Sequence, residues 1–341
     1  MGVSAVVVVL ARTEGASATQ LLGGLIVFGY TGHVASTAWL ARFPELRVMT
    51  RHRPVRLLVI PAFLIVAACV AACLVSSSGR PWLLLGFFVW QFAHFQKQNL
   101  GLAAMSARAY GAPVLARVER RALLLAGASG IAALVAHPTL LDLRPGYRLA
   151  WMFLLAVALW IGSVLTGLVA MNRRPRTERP TALLLCYASG LLFFGPVFVF
   201  RSPYEAVAPL VIAHGLQYLW LLGTMAADRN PSEPPVGFGQ RAPALAALGC
   251  LVLAGGLILS LLSGLHAARS DGFKLLYGLY LGIVMTHFVV DGTLWRGRDQ
   301  WSRRFLTTRI PFLVVPSGRT GSRRRARPGP AVRKGGRIPD R

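Results

Sequence analysis

Residues 88–105 read FVWQFAHFQKQNLGLAAM, and in this stretch polar and titratable side chains enter an otherwise apolar part of the chain. The preceding residues 82–90 are all apolar, as is typical of a helix that crosses a membrane. At 3.6 residues per turn, four polar side chains fall on one face of such a helix: Gln91, His94, Lys97 and Gln98. In a membrane helix, a polar stripe must face other helices or a water-filled cavity, which predicts a functional site.

The composition of the whole chain is that of a membrane protein. Of its 341 residues, 55% are hydrophobic and 14% are charged, whereas soluble domains carry about 25% charged residues. Mean hydropathy is +0.55. We therefore predict an all-α, polytopic transmembrane helical bundle. Its nine predicted spans lie at about 20–43, 55–77, 82–105, 121–141, 149–171, 181–200, 204–226, 242–263 and 273–296, and the sixth is interrupted by Gly195 and Pro196.

The placement of arginine predicts the orientation of the bundle. Every second loop, and the region after the ninth span, is rich in arginine. By the positive-inside rule, this alternation places the N-terminus outside and the C-terminus in the cytoplasm, in a bacterial inner (cytoplasmic) membrane. We predict an N-terminal arm at 1–19, a transmembrane helical domain at 20–302 and a basic, disordered cytoplasmic tail at 303–341. The net charge of +25 lies in these loops and in the tail, so it indicates contact with the lipid bilayer and argues against nucleic acid binding.

Four histidines fall near the same depth in the predicted bundle: His33, His94, His214 and His287. Their spans are all odd-numbered and run in one direction, and each histidine lies about 11 to 14 residues from the outer end of its span. A shared metal site is the simplest arrangement that brings them together, because neutral imidazole binds a metal without adding charge to the membrane. The alternatives are four separate helix–helix hydrogen bonds, or a proton or substrate path without metal.

Six polar side chains lie within about one helical turn of these histidines, and we predict that they orient ligands or relay protons: Gln91, Gln98, Gln217, Tyr218, Asp291 and Lys97. Asp291 is either a hydrogen-bond acceptor for a ligating histidine, a direct ligand, or a partner of Arg296 and Arg298 in an interfacial ion pair. Lys97 either extends to the inner membrane interface or pairs with Asp291. No residue is assigned as catalytic.

Histidine ligation on helices suits non-haem iron, copper or zinc, and haem is a further alternative because two facing histidines could hold one iron axially. The chain lacks the HExxH motif of metalloproteases and the clustered histidine motifs of membrane desaturases. It also lacks a GxxxxGK[ST] loop, which argues against ATP-driven transport by this chain alone.

The layout of single histidines on separate membrane helices resembles that of the bacterial Brp/Blh-type β-carotene dioxygenases. The residues that carry the resemblance are His33, His94, His214 in the sequence AHGLQYLW and His287 in THFVVDG. The similarity is one of layout and not of an extended motif. It implies that intramembrane histidines hold a non-haem Fe(II) that acts with O₂ on a lipophilic substrate.

Three functions follow as hypotheses. The first is an integral membrane, metal-dependent oxidoreductase that uses non-haem iron and O₂ on a lipophilic small molecule, with an electron donor as a further partner. The second is a proton- or ion-coupled transporter or channel that uses the midplane histidines. The third is a haem-binding membrane electron carrier.

Overall fold

The computed structural model describes residues 2–13, 16–227, 238–267, 270–295 and 299–310. All regular secondary structure in these ranges is helical, which confirms the prediction of an all-α chain for them. The first half contains α1 (Gly2–Arg12), α2 (Ala16–Ile26), α3 (His33–Ser36), α4 (Pro44–His52), α5 (Ile60–Leu74), α6 (Arg80–Ala109), α7 (Arg117–Ala136) and α8 (Ala150–Asn172). The second half contains α9 (Thr181–Leu191), α10 (Gly195–Val199), α11 (Pro203–Ala206), α12 (Ala208–Ala227), α13 (Phe238–Ser263), α14 (Asp271–Leu294) and α15 (Gln300–Arg309).

Short turns of other helix types connect or extend several of these helices. Val27–Gly32 and Val55–Val59 are π-helical turns, which are wider than an α-helix. The tighter 3₁₀ turns are Thr37–Arg42, Pro138–Leu141, Arg176–Glu178 and Gly264–Ala267. As a result, helical structure continues without a break from α2 through α3 to Arg42.

Six helical segments are long and apolar enough to cross a membrane: Gln20–Arg42, Val55–Leu74, Ala150–Asn172, Pro203–Ala227, Arg241–His266 and Asp271–Leu294. They coincide with the first, second, fifth, seventh, eighth and ninth predicted spans. Helices α6 and α7, and α9 together with α10, occupy the other three, but length and composition do not identify these helices as spans. The break between α9 and α10 spans residues 192–194, and α10 begins at the predicted Gly195 and Pro196, so the sixth segment is interrupted immediately before these two residues.

Several of these helices present large apolar side chains on the outside of the bundle. Phe63 on α5 is 67% exposed, Leu154 on α8 is 67% exposed and Leu261 on α13 is 74% exposed. Extensive exposed apolar surface is unusual in a soluble protein and marks an interaction surface. Together with the long apolar helices, it indicates that the chain is a membrane protein.

Helices α5 and α14 pack closely because α14 carries two glycines one turn apart. A Cβ added to Gly278 would lie 2.5 Å from the Cα of Cys69, and one added to Gly282 would lie 2.5 Å from the Cα of Ile65. Small residues at this spacing let membrane helices approach at the backbone. This contact holds α14, the helix of His287, against the bundle.

A buried ion pair ties the start of α7 to the end of α8. Arg174 donates from Nε and Nη2 to the two carboxylate oxygens of Glu119 at 2.6 and 2.5 Å, and Glu119 also accepts from the backbone N–H of Ala116. The hydrogen bonds to Glu119 raise the pKa of Arg174 above its usual value. Because Glu119 is only 1% exposed, loss of this partner would leave a buried carboxylate without a cation.

Both ends of the described chain pack against the bundle. Val7 on α1 is fully buried and packs with Ile212 on α12. At the other end, α15 buries Phe305 and Leu306, and Ile310 is fully buried after it. The predicted start of the disordered tail at residue 303 is therefore wrong, because α15 has an apolar face that packs on the bundle. Residues 311–341, the rest of the predicted tail, lie outside the described residues.

Candidate metal centre

Four helices place the predicted histidines side by side in the interior. His33 begins α3, while His94, His214 and His287 lie on α6, α12 and α14, and none of the four is more than 5% exposed. The ring centroids are 5.0 Å apart for His33–His214, 4.9 Å for His33–His287, 5.2 Å for His94–His214 and 5.4 Å for His94–His287. The rings therefore form a closed circle in which each ring meets two others edge to face.

An unusually close approach of two helices brings His33 next to His214. Gly29, in the π-helical turn before α3, meets Gly215 on α12, and a Cβ added to Gly215 would lie 1.5 Å from the Gly29 carbonyl oxygen. Only glycine allows the two backbones to approach this closely. The π-helical turn is itself a frequent feature of functional sites.

Each of the four histidines keeps a buried Nε2 atom without a hydrogen-bond partner. His33 donates its Nδ1–H to the carbonyl oxygen of Gly29 at 2.8 Å, so that Nε2 carries the lone pair of the neutral ring. The Nδ1 of His287 lies 2.6 Å from Thr37 Oγ1. Because buried polar atoms normally have partners, four unpartnered nitrogens in one cluster fit a bound metal ion.

Two overlapping groups of ligand atoms are close enough to hold a metal. Nitrogens of His33, His214 and His287 lie within 4.8 Å of one another, and so do ligand atoms of His94, His287 and Asp291. His287 belongs to both groups. The structure thus divides the predicted four-histidine site into a three-histidine group and a neighbouring group that includes a carboxylate.

Asp291 is 1% exposed and lies at the edge of the histidine circle. Its Oδ2 is 3.2 Å from His94 Nε2, although without the alignment of a hydrogen bond, and its Oδ1 accepts a hydrogen bond from the Trp295 indole. This position suits both predicted roles, orientation of a histidine and direct ligation. The alternative partners Arg296 and Arg298 lie outside the described residues.

Lys97 lies apart from this buried group, although it shares a helix with His94. Its side chain is exposed, and among the described residues its ammonium forms no ion pair with Asp291. It instead lines a cavity that also contacts His94 and Asp291. The predicted Lys97–Asp291 pair is therefore wrong in this structure, because the lysine side chain remains at the surface.

The other polar side chains around the cluster differ in their partners. Tyr218 is fully buried, and its hydroxyl lies 3.3 Å from Thr37 Oγ1. Gln98 donates to Gln217 Oε1 at 3.3 Å, while its own Oε1 has no partner. The side-chain amide of Gln91 is buried nearby. The vicinity of the histidines thus contains further polar atoms that could bind water or a substrate.

Thr37 was not among the predicted site residues, although its spacing in the sequence is a signal. Thr37 follows His33 by four residues, which is the spacing that drew attention to Tyr218 after His214. In the structure its hydroxyl contacts both Tyr218 and His287, so it links the histidine circle to the buried tyrosine.

Comparisons of the chain with protein-family models, with curated proteins and with solved structures find no match. The function therefore has to be inferred from the chemistry of the site.

Two cavities give access to the histidines. The first, which we call the apolar cavity, has a volume of about 810 Å³, reaches His287 and Thr37, and is lined mostly by apolar side chains such as Leu259 and Ile283. The second, the histidine cavity, has a volume of about 710 Å³.

The histidine cavity approaches the site from the side of α6. His94, Gln98 and Asp291 contribute part of its polar wall, and apolar side chains including Trp90 and Phe288 contribute much of the remainder. Three cationic side chains also line it: Arg56, Lys97 and Arg120. A molecule in this cavity would touch a histidine ring and the buried carboxylate at once.

Proposed function

We propose that the chain is an integral membrane, metal-dependent oxidoreductase that acts on a lipophilic substrate with O₂. The observation that carries this proposal is the circle of four buried histidines, each with a free Nε2. Burying polar atoms without partners is costly, and four of them in contact are difficult to explain as independent helix–helix hydrogen bonds. A metal ion held by His33, His214 and His287 would supply a partner for three of these nitrogens, and His94 lies beside them with Asp291.

The donor set favours Fe(II), with copper and zinc as alternatives. Three neutral imidazoles plus a fourth imidazole or a carboxylate suit all three metals. The resemblance in layout to histidine-ligated iron dioxygenases favours iron among them. Haem is less compatible, because the neighbouring rings meet edge to face and leave no slot for a macrocycle between them.

The surrounding residues have distinct roles in this proposal. A bound metal would supply O₂ activation, and His33, His214 and His287 would hold it. Gly29 fixes the tautomer of His33 by accepting its Nδ1–H. Asp291 orients His94 or joins the ligands, and no side chain is assigned as a proton donor.

The cavities support a lipophilic substrate. The apolar cavity and the histidine cavity both end at imidazole rings, and each is within the volume range of small-molecule sites. The mostly apolar walls of the apolar cavity exclude water and favour substrates that enter from the bilayer. We further propose nine spans, an outside N-terminus and a bacterial inner membrane location, because the alternation of arginine-rich loops supports this topology.

Metal analysis together with an optical spectrum of detergent-purified protein tests the proposal. We expect about one equivalent of iron without a Soret band, and loss of that iron in a variant that carries His94→Ala and His214→Ala. His266→Ala is a matched control, since His266 is an exposed histidine outside the cluster. A Soret band would indicate the haem-binding electron carrier. Protein that stays metal-free after gentle purification would favour a proton or ion path through the histidines.

A further inference from the structure

A third cavity carries an unusual concentration of positive charge. This basic cavity has a volume of about 880 Å³, and five cationic side chains line it against the single carboxylate of Asp299: Arg53, Lys97, Arg108, Arg120 and Arg303. Arg53 forms an ion pair with Asp299. In the described part of the chain, the other four cations have no carboxylate within ion-pair distance.

Arginines that only determine membrane topology need not lie close to one another, whereas these five cations line one cavity. They come from four separate parts of the chain: the loop before α5, helix α6, the start of α7 and helix α15. Like charges that face one cavity repel one another unless an anion is present. Arginine forks bind the oxygens of phosphate and carboxylate in pairs, so the cavity suits an oxyanion.

The basic cavity adjoins the histidine cavity, and the two share part of their lining. Lys97, Gly101, Met105, Arg120 and Trp295 line both of them. Beyond this shared wall, the histidine cavity is lined by the further cation Arg56, by apolar side chains and by His94. One molecule could therefore place a charged end in the first cavity and an apolar chain in the second.

We infer that the metal centre acts on an anionic amphiphile, whose phosphate or carboxylate head group binds in the basic cavity while its apolar chain reaches His94. This inference rests on the proposed function and specifies its substrate class. The basic cavity adjoins the histidine cavity and has no lining residue in common with the apolar cavity. A substrate whose head group binds in the basic cavity would therefore reach the site through the histidine cavity and not through the apolar cavity.

Binding of labelled dodecyl phosphate to the full chain in phosphatidylcholine nanodiscs tests the charge requirement. Each of Arg120→Gln and Arg303→Gln should weaken binding about fivefold, which is the effect expected for one cation near an anionic group. Arg117→Gln and Arg304→Gln are matched controls, because both arginines are exposed neighbours that do not line the cavity. Equal binding by cavity and control variants would overturn the inference.

A substitution in the wall that the two cavities share tests whether the apolar chain of the substrate lies in the histidine cavity. Gly101 has open space where a Cβ would lie, so Gly101→Leu should fill the passage without a clash. We expect this variant to lose the preference for dodecyl over octyl phosphate, while Gly86→Leu, also on α6 with open space, keeps it. An unchanged preference would show that the chain lies in the bilayer, as for an ordinary lipid. Inorganic phosphate that competes as well as dodecyl phosphate would show a free-anion site instead.

The same preparations are assayed for metal, which separates the two proposals. If the protein binds iron but the cavity arginines do not affect binding of dodecyl phosphate, the proposed substrate class is overturned and the proposed metal centre is retained. If metal-free protein binds dodecyl phosphate in a way that depends on the cavity arginines, the proposed oxidoreductase is refuted and the amphiphile site is retained.

Discussion

Replacing Gly215 with alanine is expected to disable the metal centre without removing a ligand. The new Cβ would lie 1.5 Å from the Gly29 carbonyl oxygen, whereas such contacts are essentially never below 3.0 Å. The two helices must therefore separate by about 1.5 Å, which would widen the 5.0 Å distance between the rings of His33 and His214 to about 6.5 Å. Imidazole nitrogens bind metals at about 2.0–2.1 Å, so the two nitrogens cannot both reach one ion across a much wider gap.

The displaced carbonyl would also lose its hydrogen bond from His33 Nδ1, which orients that ring. Loss of such an orienting partner typically weakens metal affinity about 10- to 100-fold. We expect at least this loss for Gly215→Ala, together with a destabilisation of about 1–3 kcal/mol from overpacking. Competition with a chelator measures the affinity, and elemental analysis measures the metal content.

Gly223→Ala is the control, because Gly223 lies two turns further along α12 and a Cβ there meets nothing within 4 Å. If Gly215→Ala bound metal as tightly as this control, the link between helix approach and ligation would be refuted.

Three further perturbations have defined outcomes. His94→Ala should lower bound metal, measured by elemental analysis, and leave the amount of membrane-inserted protein unchanged; full metal content would exclude His94 as a ligand. Arg174→Met leaves the buried Glu119 carboxylate unpaired and should lower the free energy of unfolding by about 3–5 kcal/mol, measured in detergent with denaturant, whereas the exposed Arg173→Met should have little effect. Deletion of residues after 310 should preserve helical circular dichroism and metal content, while a deletion that also removes Phe305 should lower the unfolding temperature.

The fold and the grouping of the histidines were largely accessible from the sequence. Long apolar segments identify helices directly, and matching depth on parallel helices was sufficient to predict that His33, His94, His214 and His287 come together. The division into two ligand groups was not accessible, because it depends on side-chain rotation and on the close approach at Gly29. A single sequence gives no information on how far two helices are apart.

The end of the folded chain was misjudged for a related reason. Five of the eight residues 303–310 are polar and an arginine-rich segment follows them, so composition alone assigned them to a tail. Phe305 and Leu306 are adjacent residues, and both face the bundle because of the position at which α15 begins. Asp299 caps that end of the helix by accepting a hydrogen bond from the backbone N–H of Ser302. Such a short amphipathic helix acquires its stability from tertiary contacts.

The presence of His287 in both candidate ligand groups would determine when the chain could bind a metal at the proposed centre. As the chain is synthesised, His33, His94 and His214 are made first, and α14 is made last of the four histidine-bearing helices. Neither ligand group is complete before that point, since both require His287 and one requires Asp291 as well. A nascent or prematurely terminated chain therefore cannot assemble either set of ligands. At the proposed centre, metal binding would therefore be a late event in biogenesis, and bound metal would distinguish a finished chain from an incomplete one.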